Sequence, residues 1–295
     1  MDKKLEELKR EYKNTPIPKD LNKVVQKAIK QKEKKPLRPN SKWIIGLAAA
    51  VVIFMVSINT SPAFAKSLSK IPVVGSFIEV LTVLEIHVNE NNYDADIKIP
   101  QVNNFENKEF ENSLNQKYLD ENQKLYESFT KEIEEMKKDG DGHLRIDTNY
   151  EVMTNDDLIF SIKRTVVETQ ASAYTTNKFD TIDKQKQIML TLPILFKSDQ
   201  YIETISEIIK KQMREQMENN PGNVYWVSDA GIEKLPEDDF FDQIDADQNF
   251  YINENHKLVI AFNEYEVAPG YMGAVEFVIP TKKIENILVG NKYIH

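Results

Sequence analysis

The chain has 295 residues, with 38 Lys and Arg against 47 Asp and Glu, and a formal net charge of −9 at pH 7. It contains no cysteine, which excludes disulfide bonds, thiolate zinc sites and a cysteine nucleophile. The charge is unevenly divided. Residues 1–42 hold 14 Lys/Arg and 6 Asp/Glu, a net of +8, which leaves 24 basic and 41 acidic residues, a net of −17, for residues 43–295. Such asymmetry indicates two parts that lie in different electrostatic surroundings.

Residues 1–42 carry two short helical patterns separated by the sequence NTPIPKD. Each pattern repeats apolar side chains at helical spacing, and Asp20 is placed to cap the second helix. Because the segment is too short to form its own core, we predict that its apolar stripes bind a partner protein. A membrane surface, or a hairpin of the two helices, is the alternative. The predicted contact residues are Leu5, Leu8, Tyr12, Leu21, Val24, Val25 and Ile29.

Residues 43–61 are predicted to form a single transmembrane helix. The stretch from Trp43 to Ile58 has no charged residue, and the uncharged residues up to 61 extend it to the length of a short span. A buried core helix is the alternative, but the stretch lacks a polar face, and Lys and Arg cluster only on its N-terminal side. Because basic residues stay inside, we expect a cytoplasmic N-terminus and an extracellular C-terminal part, anchored in the cell membrane.

The sequence SPAFAKS follows the predicted span. Small residues at Ala63 and Ala65, just before Lys66, form the small-x-small pattern that signal peptidase recognises, and Pro62 prevents the helix from continuing. A leader removed during secretion is the ordinary interpretation, but it does not explain the long arm that precedes the span. We assign residues 62–90 to a juxtamembrane segment. Its second half forms either an amphipathic helix or the first strand of the outer fold.

Residues 91–295 are predicted to form an extracytoplasmic α+β domain of antiparallel strands with helices packed on one face. One helix is predicted at Asn112–Lys138, ended by the glycines of KDGDG, and a second at Gln200–Met217. Alternating apolar residues predict strands in LRIDTNYEV, LIFSIKRTVVET and QIMLTLPILF, and near the C-terminus in FYIN, KLVIAFNEYEV and AVEFVIP.

A turn is predicted at Pro269-Gly270, between the last two of these strands. The turn places Tyr271 and Met272 near the tip of a loop. A large aromatic side chain in such a position either awaits a partner or folds back onto the sheet, and the spacing alone does not decide between the two.

No motif argues for catalysis, a metal or a cofactor. The four histidines, His87, His143, His256 and His295, have no metal-ligand spacing. The sequence DADQNFYINENH resembles a calcium loop in its first acidic and amide positions only. Phe250 replaces the required glycine, and His256 replaces the final glutamate. We therefore expect a solvated turn there, no metal and no cofactor. No feature indicates a nucleic-acid partner.

Several stretches resemble the anti-sigma-V factor family of Gram-positive bacteria. They are LEELKREYKNTPIPKDL at the start, SKIPVVG after the span, VETQASAYTTNKFDTID, and the C-terminal YINENHKLVIAFNEYEVAPGYMGAVEFVIPTKKIENILVGNKYI. The likeness runs along nearly the whole chain. One departure is Val167-Glu168, where the family has a threonine-glutamate pair.

The resemblance implies a regulator rather than an enzyme. Its cytoplasmic arm would hold an extracytoplasmic-function sigma factor, and its outer domain would bind and block lysozyme through Ser172, Pro269 and Tyr271. Signal peptidase would cut at Ala65–Lys66 only after lysozyme binds, and an intramembrane protease would then cut within the span. The alternatives are a membrane-anchored cell-wall enzyme and a passive ligand-binding module.

Overall fold

The structure is a computed structural model that describes residues 78–90, 92–140, 142–229 and 240–295. The predicted cytoplasmic arm, the predicted span and the cleavage motif at Ala63, Ala65 and Lys66 lie outside these residues. Within the described part of the chain, no helix is both long and apolar enough to cross a membrane. Residues Ile71–His295 form one compact unit.

Six strands form the larger sheet, in the order β1-β2-β3-β4-β5-β6. Their bounds are Glu79–Glu90, Tyr93–Asn103, Leu144–Asn155, Ile159–Thr169, Ala173–Asp183 and Ile188–Leu190. The expectation of purely antiparallel strands is corrected at one pair, because β2 and β3 run parallel. Helix α1 (Lys108–Asp139) lies between these two strands in the chain and packs against β2, so it supplies the long crossover that a parallel pair needs.

The predicted first helix is confirmed, with its start moved back to Lys108. Asn107 caps the helix, because its side chain accepts hydrogen bonds from the backbone N–H groups of Glu109 and Phe110. Gly140 ends it in the left-handed conformation, with φ of 113°, and donates its N–H to Met136 O. Tyr118 and Phe129 lie on the face of this helix that is fully buried.

Strand β1 resolves the choice left open for the end of the juxtamembrane segment. Its residues form an edge strand of the larger sheet rather than an amphipathic helix, so the sheet begins at Glu79. The point of entry is fixed by Asn155, whose side chain accepts the N–H of Ile78 at 3.3 Å and donates to Ile78 O at 2.7 Å. Lys184 Nζ also donates to Asn155, at 3.2 Å.

The strand predicted across QIMLTLPILF is wrong beyond its first part. Within this stretch, only Ile188–Leu190 forms a strand, β6, which pairs with β5. The next residues form the short helix α2 (Leu192–Leu195), which has Pro193 in its first turn. Proline lacks the N–H that a sheet ladder requires and is well suited to the start of a helix.

The C-terminal part adds a three-stranded antiparallel sheet, β7-β8-β9. Helix α3 (Gln200–Asn219) confirms the second predicted helix and shares a buried core with this sheet. Aromatic and polar contacts join the two sheets: Phe179 of β5 stacks on Tyr251 of β7 at 5.3 Å between ring centroids. The bounds are Phe250–Ile252 for β7, Leu258–Phe262 for β8, Val275–Val278 for β9 and Thr281–Ile284 for the final helix α4.

Candidate functional site

The hairpin of β4 and β5 carries the first predicted contact residue at its turn. The turn consists of residues 170–172, and the Gln170 N–H donates to Ser172 O at 3.3 Å. The Gln170 side chain donates to Glu132 of α1, so the helix braces the turn from one side. Ser172 itself is exposed to solvent.

The loop between β8 and β9 carries the other two predicted contact residues. Val267 and Ala268 are each 2% exposed and anchor the loop in the core. Pro269 precedes a single 3₁₀ turn at Gly270–Met272. Tyr271 is 69% exposed, and its hydroxyl donates to Gly222 O at 3.2 Å. The open question about this tyrosine is therefore answered: its ring projects at the loop and is not folded back onto the sheet.

The structure brings these two segments together. Tyr174, two residues after Ser172, stacks on Tyr265 of the β8–β9 loop, with ring centroids 6.2 Å apart and planes inclined by 24°. Below the stack, the Asn177 N–H of β5 donates to Asn263 Oδ1 at 2.6 Å. The turn of one hairpin and the loop of the other thus form one surface, which we call the tyrosine surface: residues 170–174 and 263–274.

Every exposed tyrosine of the described chain lies on the tyrosine surface. Tyr174, Tyr265 and Tyr271 are 41%, 53% and 69% exposed. Sequence reasoning identified Tyr271 but missed the other two, although both lie within stretches that carried the family resemblance. No local pattern pairs Tyr174 with Tyr265, because their contact depends on how the two sheets meet. Tyrosine offers a large, stiff apolar face and a polar tip, which suits recognition of a cleft on another macromolecule.

A network of charges lies under α1 at the other end of the same hairpin. The Arg164 guanidinium contacts Glu121 at 2.6 Å and Asp180 at 3.0 Å, and Lys117 Nζ contacts Asp180 at 2.7 Å. The Arg164 side chain is 10% exposed and that of Asp180 is 4% exposed. The guanidinium also lies over the Tyr118 ring, at 4.4 Å from its centroid. Burial alone would raise the pKa of Glu121, but the hydrogen bond and charge of Arg164, together with the charges of Lys178 and Lys117, outweigh it and lower that pKa.

A cavity of about 300 Å³ opens beside this network, between α1 and strands β2 to β5. The charged side chains that line it include Arg164 and Glu121, which are already paired with each other. Glu168 also faces the cavity, and burial together with the nearby Glu132 carboxylate raises its pKa. The pairing explains the charges of Arg164 and Glu121 as part of the fold, but it does not account for Glu168.

One group of possible metal ligands was not foreseen from the sequence. The pairing of β1 with β2 places His87 directly opposite Asp96, with Glu85 on the same strand as His87. However, Lys98 Nζ lies 4.0 Å from Glu85 and 3.8 Å from Asp96, so a cation already neutralises both carboxylates. We interpret the group as an ion-pair cluster of the strand edge.

The stretch from Asp245 that resembles a calcium loop in sequence does not have the conformation of one. Asp245 and Asp247 lie in or beside an exposed turn, and the following residues, Phe250–Ile252, form the buried strand β7. A calcium loop would need a sharp turn at Phe250 and the backbone carbonyl of Tyr251 as a ligand, whereas both residues lie in the strand. The prediction of a solvated turn is confirmed for the acidic positions.

Two family profiles match separate parts of the chain. One, described as deacetylase PdaC, matches residues 86–168. The other, described as a protein of unknown function, DUF3298, matches residues 195–282. Two crystal structures of DUF3298 family proteins share the fold. The one from Bacteroides fragilis NCTC 9343 has a TM-score of 0.51 at 17% identity, covering 72% of this chain and 94% of its own. The one from Pseudomonas aeruginosa PAO1 has 0.52 at 13%, covering 74% and 96%.

The match to a full-length relative identifies the family of the chain as well as its fold. The anti-sigma-V factor RsiV of Bacillus subtilis strain 168 is 46% identical over 297 residues, and the match covers 100% of both chains.

Proposed function

This chain belongs to the anti-sigma-V factor family, and from that premise we propose that it is a membrane-anchored anti-sigma factor whose outer domain is a lysozyme receptor. Residues 1–42 would hold an extracytoplasmic-function sigma factor at the inner face through Leu5, Leu8, Tyr12, Leu21, Val24, Val25 and Ile29. Residues 43–61 would cross the membrane, and the outer domain would meet lysozyme outside the cell.

The tyrosine surface is the observation that carries the receptor proposal. It gathers Ser172, Pro269 and Tyr271 at one end of the domain, with the Tyr271 ring 69% exposed. A projecting ring in a 3₁₀ turn that begins after a proline loses little conformational freedom on binding, so it suits insertion into a sugar-binding cleft. Lysozyme has such a cleft, and filling it would block the enzyme.

Charge supports the same partner. Residues 43–295 carry a net charge of −17, and a basic lysozyme would be attracted to them. Such attraction raises the association rate more than the affinity.

Release of the sigma factor would follow from two cuts. Bound lysozyme would make the Ala65–Lys66 bond accessible to signal peptidase, and an intramembrane protease would then cut within residues 43–61. The Ala65→Trp variant should bind lysozyme normally but keep its outer domain attached to cells, which immunoblotting of the medium would show. Loss of the outer domain from unstimulated cells would favour an ordinary leader instead.

A hydrolytic enzyme is the second candidate, because the deacetylase profile matches residues 86–168. Arg164 and Glu121, beside the cavity in that region, are paired with each other, and the full-length relative is an anti-sigma factor, so we propose a protein without catalysis of its own. Incubation of the purified chain with acetylated cell-wall glycan should release no acetate; steady release would favour the enzyme.

The decisive experiment is a titration of the full-length chain, held in lipid nanodiscs, with lysozyme. The Tyr271→Ala, Pro269→Ala double variant should weaken binding by about 30-fold or more, the loss expected at a hot spot of about 2 kcal/mol. Val289→Ala is a matched control, because Val289 is 64% exposed but lies beside α2 and α4. Absence of binding by the unmodified chain, or equal binding by the double variant, would overturn the receptor proposal.

A further inference from the structure

Tyr265 occupies an unusual position within the tyrosine surface. Its backbone is left-handed, with φ of 62°, a conformation that is costly for a bulky side chain. Residues in such conformations persist only where their surroundings hold them, and they concentrate at sites of binding. The ring is nevertheless 53% exposed, so the cost is not repaid by burial in the core.

Two contacts hold the Tyr265 ring in this position. On one side it stacks on Tyr174, in the strand that leaves the Ser172 turn. The tip of the ring also lies directly on the backbone of Gly270, because a Cβ atom built at Gly270 would be 2.2 Å from the Tyr265 hydroxyl oxygen and 2.3 Å from its Cζ. Only a residue without a Cβ admits the ring here.

These contacts bridge the two segments that carry the predicted lysozyme contacts. Gly270 lies between Pro269 and Tyr271, and Tyr174 lies two residues from Ser172. The Asn177–Asn263 hydrogen bond, at 2.6 Å, joins the same segments nearer the core. The loop is therefore tied to the hairpin at two levels, by a polar contact at its base and by an aromatic contact nearer its tip.

We infer that Tyr265, clamped between Tyr174 and Gly270, is a positioning residue that fixes the Pro269–Tyr271 turn relative to the Ser172 turn before a partner arrives. The inference rests on the proposed receptor function. It adds Tyr265, Tyr174 and Gly270 as residues that hold the predicted contact residues in place and do not themselves need to touch lysozyme. The physical effect is preorganisation. The two segments are already ordered relative to one another in the free protein, so the entropy cost of ordering them falls on folding and not on binding.

The inference is testable because the chain offers a way to displace the ring without removing it. Gly270→Ala places a methyl group where the Tyr265 phenol lies, and this exposed side chain can swing outward at little cost to folding. Tyr174→Ala and Tyr265→Ala remove the stack from either side, whereas Tyr265→Phe retains it. Gly290→Ala is the matched control, because a Cβ there meets nothing within 4 Å.

The first measurement uses the free full-length chain in nanodiscs and requires no lysozyme. The amide of Met272 donates to Pro269 O at 2.9 Å and that of Gly273 to Gly270 O at 3.0 Å. Hydrogen exchange at these two amides should accelerate about tenfold in Gly270→Ala, Tyr174→Ala and Tyr265→Ala. It should stay within about twofold of the unmodified rate in Tyr265→Phe and Gly290→Ala.

The second measurement is titration with lysozyme. Each of the three disruptive variants should weaken binding by about tenfold, and the Tyr174→Ala, Tyr265→Ala double variant should be no weaker than about twentyfold, because both changes break one contact. Tyr265→Phe should restore binding to within about twofold of the unmodified chain.

The outcomes separate this inference from the receptor proposal. The positioning role would be overturned by two results together: unchanged hydrogen exchange at the Met272 and Gly273 amides, and a loss of affinity in the double variant equal to the product of the two single losses. Tyr174 and Tyr265 would then be independent contacts with lysozyme. Accelerated exchange in a chain that never binds lysozyme would uphold the clamp and overturn the receptor proposal.

Discussion

At its inner end the β4–β5 hairpin is closed off from solvent, whereas at its outer end it is open. Residues 159–162 and 180–183 are all buried, and residues 170–174 are all exposed. The inner end holds the ion pairs of Arg164 and a fully buried Asp183, while the outer end holds Ser172 and Tyr174. One pair of strands therefore runs from the core of the domain to the tyrosine surface.

The difference indicates that stability and recognition are divided along the hairpin. A change at the buried end alters groups that cannot regain water, so it should lower the free energy of unfolding. A change at the exposed end alters side chains that water solvates in the free protein, so it should act on partner binding. Each substitution below tests whether the division holds.

The largest effect is expected for Arg164→Met. Leaving a buried charge without a partner costs about 3–5 kcal/mol; because Lys117 still pairs with the buried Asp180, this range is the upper limit for the loss. Urea unfolding should show this loss, while the folded protein should bind lysozyme as the unmodified chain does. A fall in affinity as large as the fall in stability would break the division between the two ends.

A double variant controls for this effect. Arg164→Met combined with Asp180→Leu removes both buried charges, and replacing a buried pair by apolar side chains is often close to neutral. Most of the lost stability should therefore return. If it does not, packing of the Arg164 stem on Tyr118, rather than charge, stabilises this end of the hairpin.

Local sequence rules predicted much of this fold. The left-handed Gly140 after α1, the apolar face of α3 and the alternation at the start of β3 all depend on residues close in sequence, where spacing and turn chemistry decide the structure. The Pro269-Gly270 turn likewise placed Tyr271 at a loop tip. These features needed no knowledge of which elements meet.

Features that depend on distant contacts could not be predicted in the same way. The parallel pairing of β2 with β3 is set by the path of α1 over the sheet, and the Tyr174–Tyr265 stack is set by how the two sheets join. The cluster of His87 with Asp96 needs the register of β1. Pro193 was a local signal against a long strand, but the prediction gave more weight to the alternating apolar residues around it and so extended the strand too far.

A smaller effect with a distinct pH dependence is expected for Asp183→Asn. Asp183 is 0% exposed and accepts hydrogen bonds from Tyr293 at 2.5 Å, Lys292 at 3.0 Å and the backbone of Gln185 and Lys186. Burial alone would raise its pKa, but these hydrogen bonds outweigh burial and hold the pKa below its ordinary value. At neutral pH the variant should lose about 2 kcal/mol, because hydrogen bonds to a charged group contribute about 1.5–3 kcal/mol.

The sign of the Asp183 effect follows from the lowered pKa. The stabilisation is fully present above the unfolded pKa of about 3.9 and is lost as the pH falls through it toward the lower folded pKa. The difference in unfolding free energy between Asp183→Asn and the unmodified chain should therefore shrink below about pH 4. Asp247→Asn, in an exposed turn, is the control and should show a constant difference. A constant difference for Asp183 as well would mean that its hydrogen bonds do not depend on its charge.

The smallest effect, and one of opposite sign, is expected for Glu168→Gln. Glu168 pairs across the strands with Tyr174, between the buried and exposed ends, and burial together with the Glu132 carboxylate raises its pKa. The raised pKa means that the charged carboxylate opposes folding above the folded pKa, and that this cost vanishes below the unfolded pKa of about 4.3.

The free energy of unfolding of Glu168→Gln should thus rise by up to about 0.5 kcal/mol at pH 7 and not at pH 4. Glu254→Gln, in an exposed turn, is the control and should gain no stability at either pH. Unfolding in urea at the two pH values measures both, and lysozyme binding at pH 7 should not change. A loss of affinity instead would extend the recognition surface down the hairpin to residue 168.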